Sequence, residues 1–334
     1  MDARAQIPGG PPALPARIAF VGQATFFEAC SLEPDVAADL GCESRFVEFR
    51  QGADADRLLA ELEAYAPDAV VVFRPEVLPA GALHDLPGAV LGFLTEPLPR
   101  KRRGTPAHED LERRLWELGQ VDPLNVDRIV TFDPYIAGAA GSILPVWRSL
   151  PLPVADRFYR PVGAPPDKPR VLFVGRSTPH RERMLAEVRE RREVLHLAFG
   201  VDAAHLEELL DEHHVAINIH NNPYPSFENR VCLHLAAGHL VLTESLSPSH
   251  GLEPGIDLLE LSTPGELAEI VTMLERFPGI WHDVRIRGRR KAEIFRASRV
   301  YPRLLADLLA DLRTLPSSRP GFVRAADRLL ATTH

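Results

Sequence analysis

The sequence predicts an α/β chain folded as two doubly wound, parallel-sheet domains with a ligand cleft between them, and three observations carry that expectation. Short apolar runs of strand length alternate with stretches of helical spacing along most of the chain, the pattern of successive β–α units. The opening run RIAFVG at 17–22 returns almost residue for residue as RVLFVG at 170–175, so the chain starts a sheet twice. Between the two halves, PVGAPPDKP at 161–169 has the composition of an interdomain linker. The expected division is a leader at 1–16, a first domain at 17–161, a second at 162–315 and a helical tail at 316–334.

Composition narrows the class of function. At 334 residues the chain is long enough for two domains that each bury a core. Its 38 Lys and Arg against 46 Asp and Glu leave a formal charge of −8, which argues against nucleic acid as partner, since backbone phosphates demand a basic face. Cys30, Cys42 and Cys232 are odd in number and form no C-x-x-C, so neither a disulfide framework nor a zinc ribbon is indicated. The first 16 residues lack the charged and apolar regions of a signal peptide, and no apolar run approaches the ~20 residues that cross a bilayer. A cytoplasmic protein with a frayed leader is expected.

In the first half, the run 17–22 ends on Gly22 and is followed by helical spacing over 24–40, the opening β–α unit. No G-x-G-x-x-G follows, so the dinucleotide fingerprint is absent. Strands are expected at 45–49 and 69–73, with a helix at 54–65 between them. A strand at 89–94 empties into Thr95, Glu96 and Pro97, and one at 127–132 into Asp133 and Pro134. In a parallel sheet Gly22, Glu96 and Asp133 then share the ligand-facing edge. Glu96 is the first choice for a base that takes a proton from an acceptor hydroxyl; the alternative for Glu96 and Asp133 is a turn or cap ahead of proline. The basic loop PRKRRG at 99–104 suits an acidic acceptor, an anionic membrane surface or plain solvent. His108, before a helix at 109–119, is a weaker base candidate. The proline-rich segment 144–156 is read as the approach to the second domain.

The second half opens with Gly175, followed at once by Arg176, Ser177, Thr178 and Arg181 at the head of a helix reaching 192. Cations and N–H donors at a helix start suit a phosphate. A strand at 194–199 ends at Gly200, and Asp202 caps a helix at 203–212. The densest chemistry lies in residues 213–245, HHVAINIHNNPYPSFENRVCLHLAAGHLVLTES. Here a buried strand at 215–219 gives way to His220, Asn221 and Asn222, and Pro223 and Pro225 hold a loop open. Glu228, Asn229 and Arg230 then start a helix that Gly238 closes before a strand at 239–243. Glu244, Ser245, Ser247 and His250 are placed to reach a ligand from the strand ends. A short strand at 256–261, an amphipathic helix at 264–277 and a basic helical run to 303 complete the domain, with terminal amphipathic segments at 301–312 and 321–330 expected to pack back across the domains.

The order of strand, polar loop, N-R at a helix start, A-A-G and strand ending in T-E resembles the donor-binding region of GT-B glycosyltransferases, and most nearly the bacterial spore-maturation-type group. The resemblance runs from about 170 to 275 and, more loosely, through the first half. It implies two Rossmann-like domains, with the first holding an acceptor and the second a nucleotide-diphosphate sugar. Carried over residue by residue, it implies that Gly175, Arg176, Arg181, Asn229 and Arg230 face the donor diphosphate, that the backbone at Gly200 faces the nucleobase, and that His220 and Asn221 line the sugar pocket. One departure stands out: many retaining members have a glutamate five residues before the glycine of the A-A-G turn, where this chain has Leu233. Glu228 is the candidate to take over part of that role.

His213, His214, His220, His234, His239 and His250 fit no metal-ligand spacing, so no metal and no cofactor beyond the donor substrate are expected. The expected function is transfer of a sugar from a nucleotide-diphosphate donor to a small-molecule, glycan or protein acceptor, with Glu96 and Glu228 as catalytic candidates. No nucleic-acid partner and no transmembrane segment are expected, and peripheral membrane contact stays open. The rival readings are a sugar-nucleotide epimerase or hydrolase on the same scaffold, and a non-catalytic binding protein.

Overall fold

A computed structural model describes residues 14–99, 109–198 and 203–322. The leader before residue 14, the basic loop beyond Pro99, His108, Gly200 with Phe199 and Val201, the cap Asp202, and the tail beyond 322 lie outside the described residues.

Two all-parallel sheets form. The first takes β1 (Arg17–Gly22), β2 (Glu43–Glu48), β3 (Ala69–Phe73), β4 (Ala89–Leu94), β5 (Arg128–Thr131) and β6 (Val146–Ser149) in the order β2-β1-β3-β4-β5-β6. Its helices are α1 (Ala24–Phe27), α2 (Pro34–Asp39), α3 (Ala55–Tyr65), α4 (Asp110–Gly119) and α5 (Ala137–Ala140). The second sheet takes β7 (Val171–Val174), β8 (Val194–Leu197), β9 (Val215–Asn218), β10 (Leu240–Thr243) and β11 (Leu259–Glu260) in the order β11-β10-β9-β7-β8. With it go α6 (Pro179–Arg191), α7 (Ala203–Glu212), α8 (Arg230–Ala236), α9 (Pro264–Arg276) and α10 (His282–Lys291), and α11 (Ala297–Thr314) returns to the first sheet. This is an α/β fold of two Rossmann-like domains, and in each the strand order reverses between the first strand and the third. Open parallel sheets gather ligands at that reversal.

Local chemistry accounts for the elements. Strands β3, AVVVF, and β4, AVLGFL, are buried along their whole length, as apolar central strands covered on both faces must be. The edge strand β2, ESRFVE, alternates toward solvent instead. Asp54 caps α3 by accepting from the N–H groups of Asp56 and Arg57, and Ala66 ends it in the left-handed conformation at φ 49°. A capping box between Thr263 and Glu266 starts α9.

Three expectations need correcting. The helix read over 24–40 is broken into α1, a 3₁₀ turn at Glu28–Cys30 and α2, because Pro34 lacks an N–H and holds Glu33 extended at ψ 150°. The proline-rich segment 144–156 contains an unforeseen strand: β6 pairs with β5 at the sheet edge, where flanking Pro145 and Pro151 cost no central ladder bond. The strand expected over 256–261 shortens to Leu259–Glu260. Residues 162–169 carry neither helix nor strand.

The chain crosses back at its end. Helix α11 lays Tyr301, Leu304, Leu305 and Leu308 against Ile18, Phe20, Val71 and Leu91 of the first sheet. Arg128 Nε holds Asp311 at 2.6 Å, and the Tyr301 hydroxyl donates to the Cys30 carbonyl at 2.6 Å. Beyond the helix, Arg319 is fully buried and takes both oxygens of Asp127, with its remaining donors on the carbonyls of Leu83, Leu86 and Gly88. Phe132, Val154 and Phe158 from before the linker share one apolar cluster with Phe227, Val231 and Leu235 from after it.

Under the second sheet lies a buried histidine pair, His234 Nδ1 to His239 Nδ1 at 3.2 Å. His239 Nε2 faces the Leu210 carbonyl at 2.8 Å and so must carry the proton there. Its Nδ1 then accepts from His234, whose own Nε2 is buried without a partner. Burial first, and then neighbouring positive charges, push His239 down to about 3 and His234 in the same direction.

Candidate functional site

The reversal in the second sheet falls between β7 and β9, and three arginines gather there. Gly175 ends β7 with φ +151°, and a Cβ on it would lie 2.5 Å from Arg230 Nη1 and 3.1 Å from Arg181 Nη1. A side chain here would push the two guanidinium tips aside and would strain a backbone at φ +151°, which glycine adopts freely. Arg181 sits in the first turn of α6, whose cap Thr178 accepts from the Arg181 N–H at 3.3 Å and donates to the Asn221 carbonyl at 3.0 Å, tying the two strand-end loops together. The buried Arg181 donates from Nε to the Ile219 carbonyl at 3.0 Å and from Nη1 to the Arg176 carbonyl at 3.1 Å. Arg230 donates from Nε to Asn218 Oδ1 at 2.9 Å. The exposed Arg176 donates from Nε to Asn221 Oδ1 at 3.0 Å.

One carboxylate sits among them. Glu228 Oε2 is 2.7 Å from Arg230 Nη2 and its Oε1 is 3.6 Å from Arg181 Nη2. Three cations face Glu228 and, further off, Glu244, so positive charge is in excess in the cluster. Burial, then Arg230, with Arg176 adding to it and Glu228 and Glu244 opposing, pull Arg181 down to about 9, which leaves it cationic at neutral pH. Such a cluster is relieved by an incoming anion, and the N-terminus of the 13-residue α6 adds its own N–H groups and dipole.

The other named residues divide between this cluster and its surroundings. His220 is buried with its ring fully used: Nε2 donates to the Ser245 carbonyl at 2.9 Å and Nδ1 accepts from Ser226 Oγ at 3.0 Å. Its backbone N–H donates to Glu244 Oε2 at 2.7 Å, and Glu244 Oε1 lies 2.9 Å from His180 Nε2. His180 was not foreseen, because nothing local marks the second residue of a helix as the partner of a carboxylate 64 positions on. Asn229 turns away from the arginines and accepts from the Leu152 N–H at 3.4 Å, on the segment joining the halves. Leu233 is half-buried and packs on the apolar cluster beneath α8.

Glu96 belongs to the other sheet. It follows β4 with Oε2 2.6 Å from Arg114 Nη1, which also holds Glu117 Oε2 at 3.1 Å. Glu76 lies in the same small cavity, paired through Oε1 to Arg74 at 2.8 Å, and its buried Oε2 has no partner. Burial outweighs Arg74 and pushes the Glu76 carboxyl upward. Asp133 takes the turn role: its Oδ1 accepts from the Tyr135 N–H at 2.9 Å. Across the halves, Asn222 Nδ2 donates to Asp110 Oδ2 on α4, the helix that carries Arg114. Among the described residues no group of three His, Cys, Asp or Glu could hold a metal ion, and no helix is long and apolar enough to cross a membrane.

No family model matches the chain, and no curated protein matches it in sequence. Solved structures are similar in fold. Anabaena HepE in complex with UDP and glucose superposes with a TM-score of 0.56 at 11% identity, over 89% of this chain and 100% of that one. AviGT4, a glycosyltransferase involved in avilamycin A biosynthesis, gives 0.54 at 16% identity over 90% and 98%. The UDP-GlcNAc 2-epimerase from Neisseria meningitidis bound to UDP-GlcNAc gives 0.50 at 11% identity over 88% and 100%. The two facing Rossmann-like domains of this chain are those of the GT-B fold.

Proposed function

We propose that the protein is a glycosyltransferase that uses a nucleotide-diphosphate sugar as donor. The observation that carries this reading is the gathering of Arg181 and Arg230 against Gly175, and of Arg176 beside them on Asn221, at the strand-order reversal, where Glu228 is the carboxylate that pairs with Arg181 and Arg230. A diphosphate is the anion whose charge suits that surplus, and bidentate guanidinium groups suit its oxygens. The binding of UDP by HepE and of UDP-GlcNAc by the epimerase supports the same assignment. With the division placed near residue 162, the second domain grips the donor and the first presents the acceptor.

In the proposed reaction a bond forms between the acceptor oxygen and the anomeric carbon as that carbon's bond to the diphosphate oxygen breaks. The electron pair leaves with the diphosphate, and the arginines stabilise the charge that develops there. They supply the positive charge that a divalent ion supplies elsewhere, so the transfer is proposed to be metal-independent. Glu96 is the proposed acceptor of the hydroxyl proton if configuration inverts, and that role requires it to give up its contact with Arg114. Glu228 orients Arg230 and Arg181 toward the leaving group.

A panel of UDP-, GDP- and ADP-sugars tested by thermal shift checks the reading. At least one should stabilise the protein, and Arg176→Ala should abolish that shift. No shift with any of them, or a full shift in Arg176→Ala, refutes it. Epimerisation or hydrolysis is the second reading, favoured by the fold likeness to the epimerase and by the pairing of Glu96 with Arg114. It predicts consumption of the best donor with no acceptor present.

A further inference from the structure

We infer that Arg114 has two carboxylate partners, and that donor binding moves its guanidinium from Glu96 to Glu76 and so frees Glu96 to act as the base. The inference rests on the transferase reading and makes Arg114 and Glu76 positioning residues for its acceptor side.

The cavity beside Glu96 contains both halves of an unmade ion pair. Glu76 and Arg114 line it, and each has a buried atom without a partner, Oε2 on the carboxylate and Nε on the guanidinium. At about 20 Å³ the cavity has room for a water and none for an acceptor. It lies at the ligand-facing edge of the first sheet. Arg74, at φ 60°, turns the chain out of β3 into the 3₁₀ turn Pro75–Val77, and α4 packs on that turn. Glu76 thus comes from the end of β3, Glu96 from the end of neighbouring β4, and Arg114 from the helix beside them.

Buried groups of opposite charge that each lack a partner gain by meeting, since both are otherwise left desolvated. The contact given up is the weaker kind, because the Glu96 side chain is 35% exposed and that of Glu76 only 9%. Arg74 holds Oε1 of Glu76, so Oε2 is open to a second guanidinium. The move is the release from Arg114 that a base role for Glu96 requires.

The link to the donor runs through α4. Asn221 Oδ1 holds Arg176 at 3.0 Å and Arg181 at 3.4 Å. The next residue, Asn222, donates to Asp110, one helical turn before Arg114. A diphosphate that takes up Arg176 and Arg181 competes with Asn221 for them, so the loop that grips α4 responds to donor occupancy.

The test measures donor affinity in variants of the acceptor side. By linkage, a change that frees Arg114 from Glu96 must tighten donor binding, and one that denies it Glu76 must loosen it. Calorimetry on the full chain with the best nucleotide sugar of the panel should show roughly 5-fold tighter binding in Glu96→Gln and roughly 5-fold weaker binding in Glu76→Gln. In an Arg114→Gln background both effects should vanish. A water bridging the two unpartnered atoms, or a purely structural role for Glu76, gives shifts of the same sign or none; either result, or effects that persist in Arg114→Gln, overturns the inference. Failure of the donor reading appears separately, as wild-type protein that binds no nucleotide sugar, and it takes the inference with it.

Discussion

Taking the protein from pH 7 to pH 5 should cost about 2 kcal/mol of stability through His239 alone. Burial holds its folded pKa at about 3, against ~6.5 in the unfolded chain. The folded value is the lower, so the unfolded chain takes up the proton first. Stability is therefore complete above ~6.5 and declines as pH falls, until the folded form also protonates near 3. At pH 5 the unfolded histidine is about 1.5 units below its pKa, and each unit is worth about 1.4 kcal/mol. His234, buried and depressed by the same causes, adds in the same direction. The carboxyls of Asp122, Glu182 and Glu293, held below their ordinary range, lose their contribution mainly below that window. Urea unfolding followed by far-UV circular dichroism at pH 7 and pH 5, at fixed ionic strength, reads the difference. His239→Gln keeps a donor for the Leu210 carbonyl and should remove the His239 share of the dependence, while His234, His250, His213 and His214, which burial also depresses, carry the rest. Equal stability at the two pH values, or an unchanged dependence in His239→Gln, would show the reasoning to be wrong.

Two further expectations concern the site and its support. Gly175→Ala must relieve a 2.5 Å approach to Arg230 at φ +151°, so it should lower stability by about 1–3 kcal/mol and abolish the thermal shift with nucleotide sugar; an intact shift would place the ligand elsewhere. Arg319→Leu leaves Asp127 buried and unpaired and should cost about 3–5 kcal/mol in chemical denaturation. Adding Asp127→Asn to that variant should recover part of the loss, and no recovery would mean that packing rather than charge explains it.

Much of the architecture was legible because it is written locally. The apolar runs that end on Gly22 and Gly175 announce strands that feed helices, and the spacing around Asn229–Arg230 announces a helix start after an open loop. Arg181 and Arg230 were named on the resemblance alone; they meet because each lies in the first turn of a helix that follows one of two adjacent parallel strands. What local pattern does not carry is the choice of distant partners. Nothing near Glu96 shows that Arg114 will hold it, and nothing near Asn229 shows that its amide will turn to Leu152. The edge strand β6 was hidden by the prolines around it, since proline argues against a strand unless the strand is known to lie at an edge. Arg319 reads as one more cation in a polar tail until the fold brings Asp127 beneath it.

The crossing of α11 has a consequence for how the chain is made. Residues 297–314 cover Ile18, Phe20, Val71 and Leu91, all of which emerge from the ribosome long before their cover does. During synthesis one side of the earliest-made sheet thus waits only partly covered, by Phe27, Leu32 and Ala37, for some 200 further residues, a span in which a holding chaperone has a surface to grip. Ending translation shortly before residue 297 would withhold that cover permanently, so nascent products lacking α11 should be the ones that aggregate.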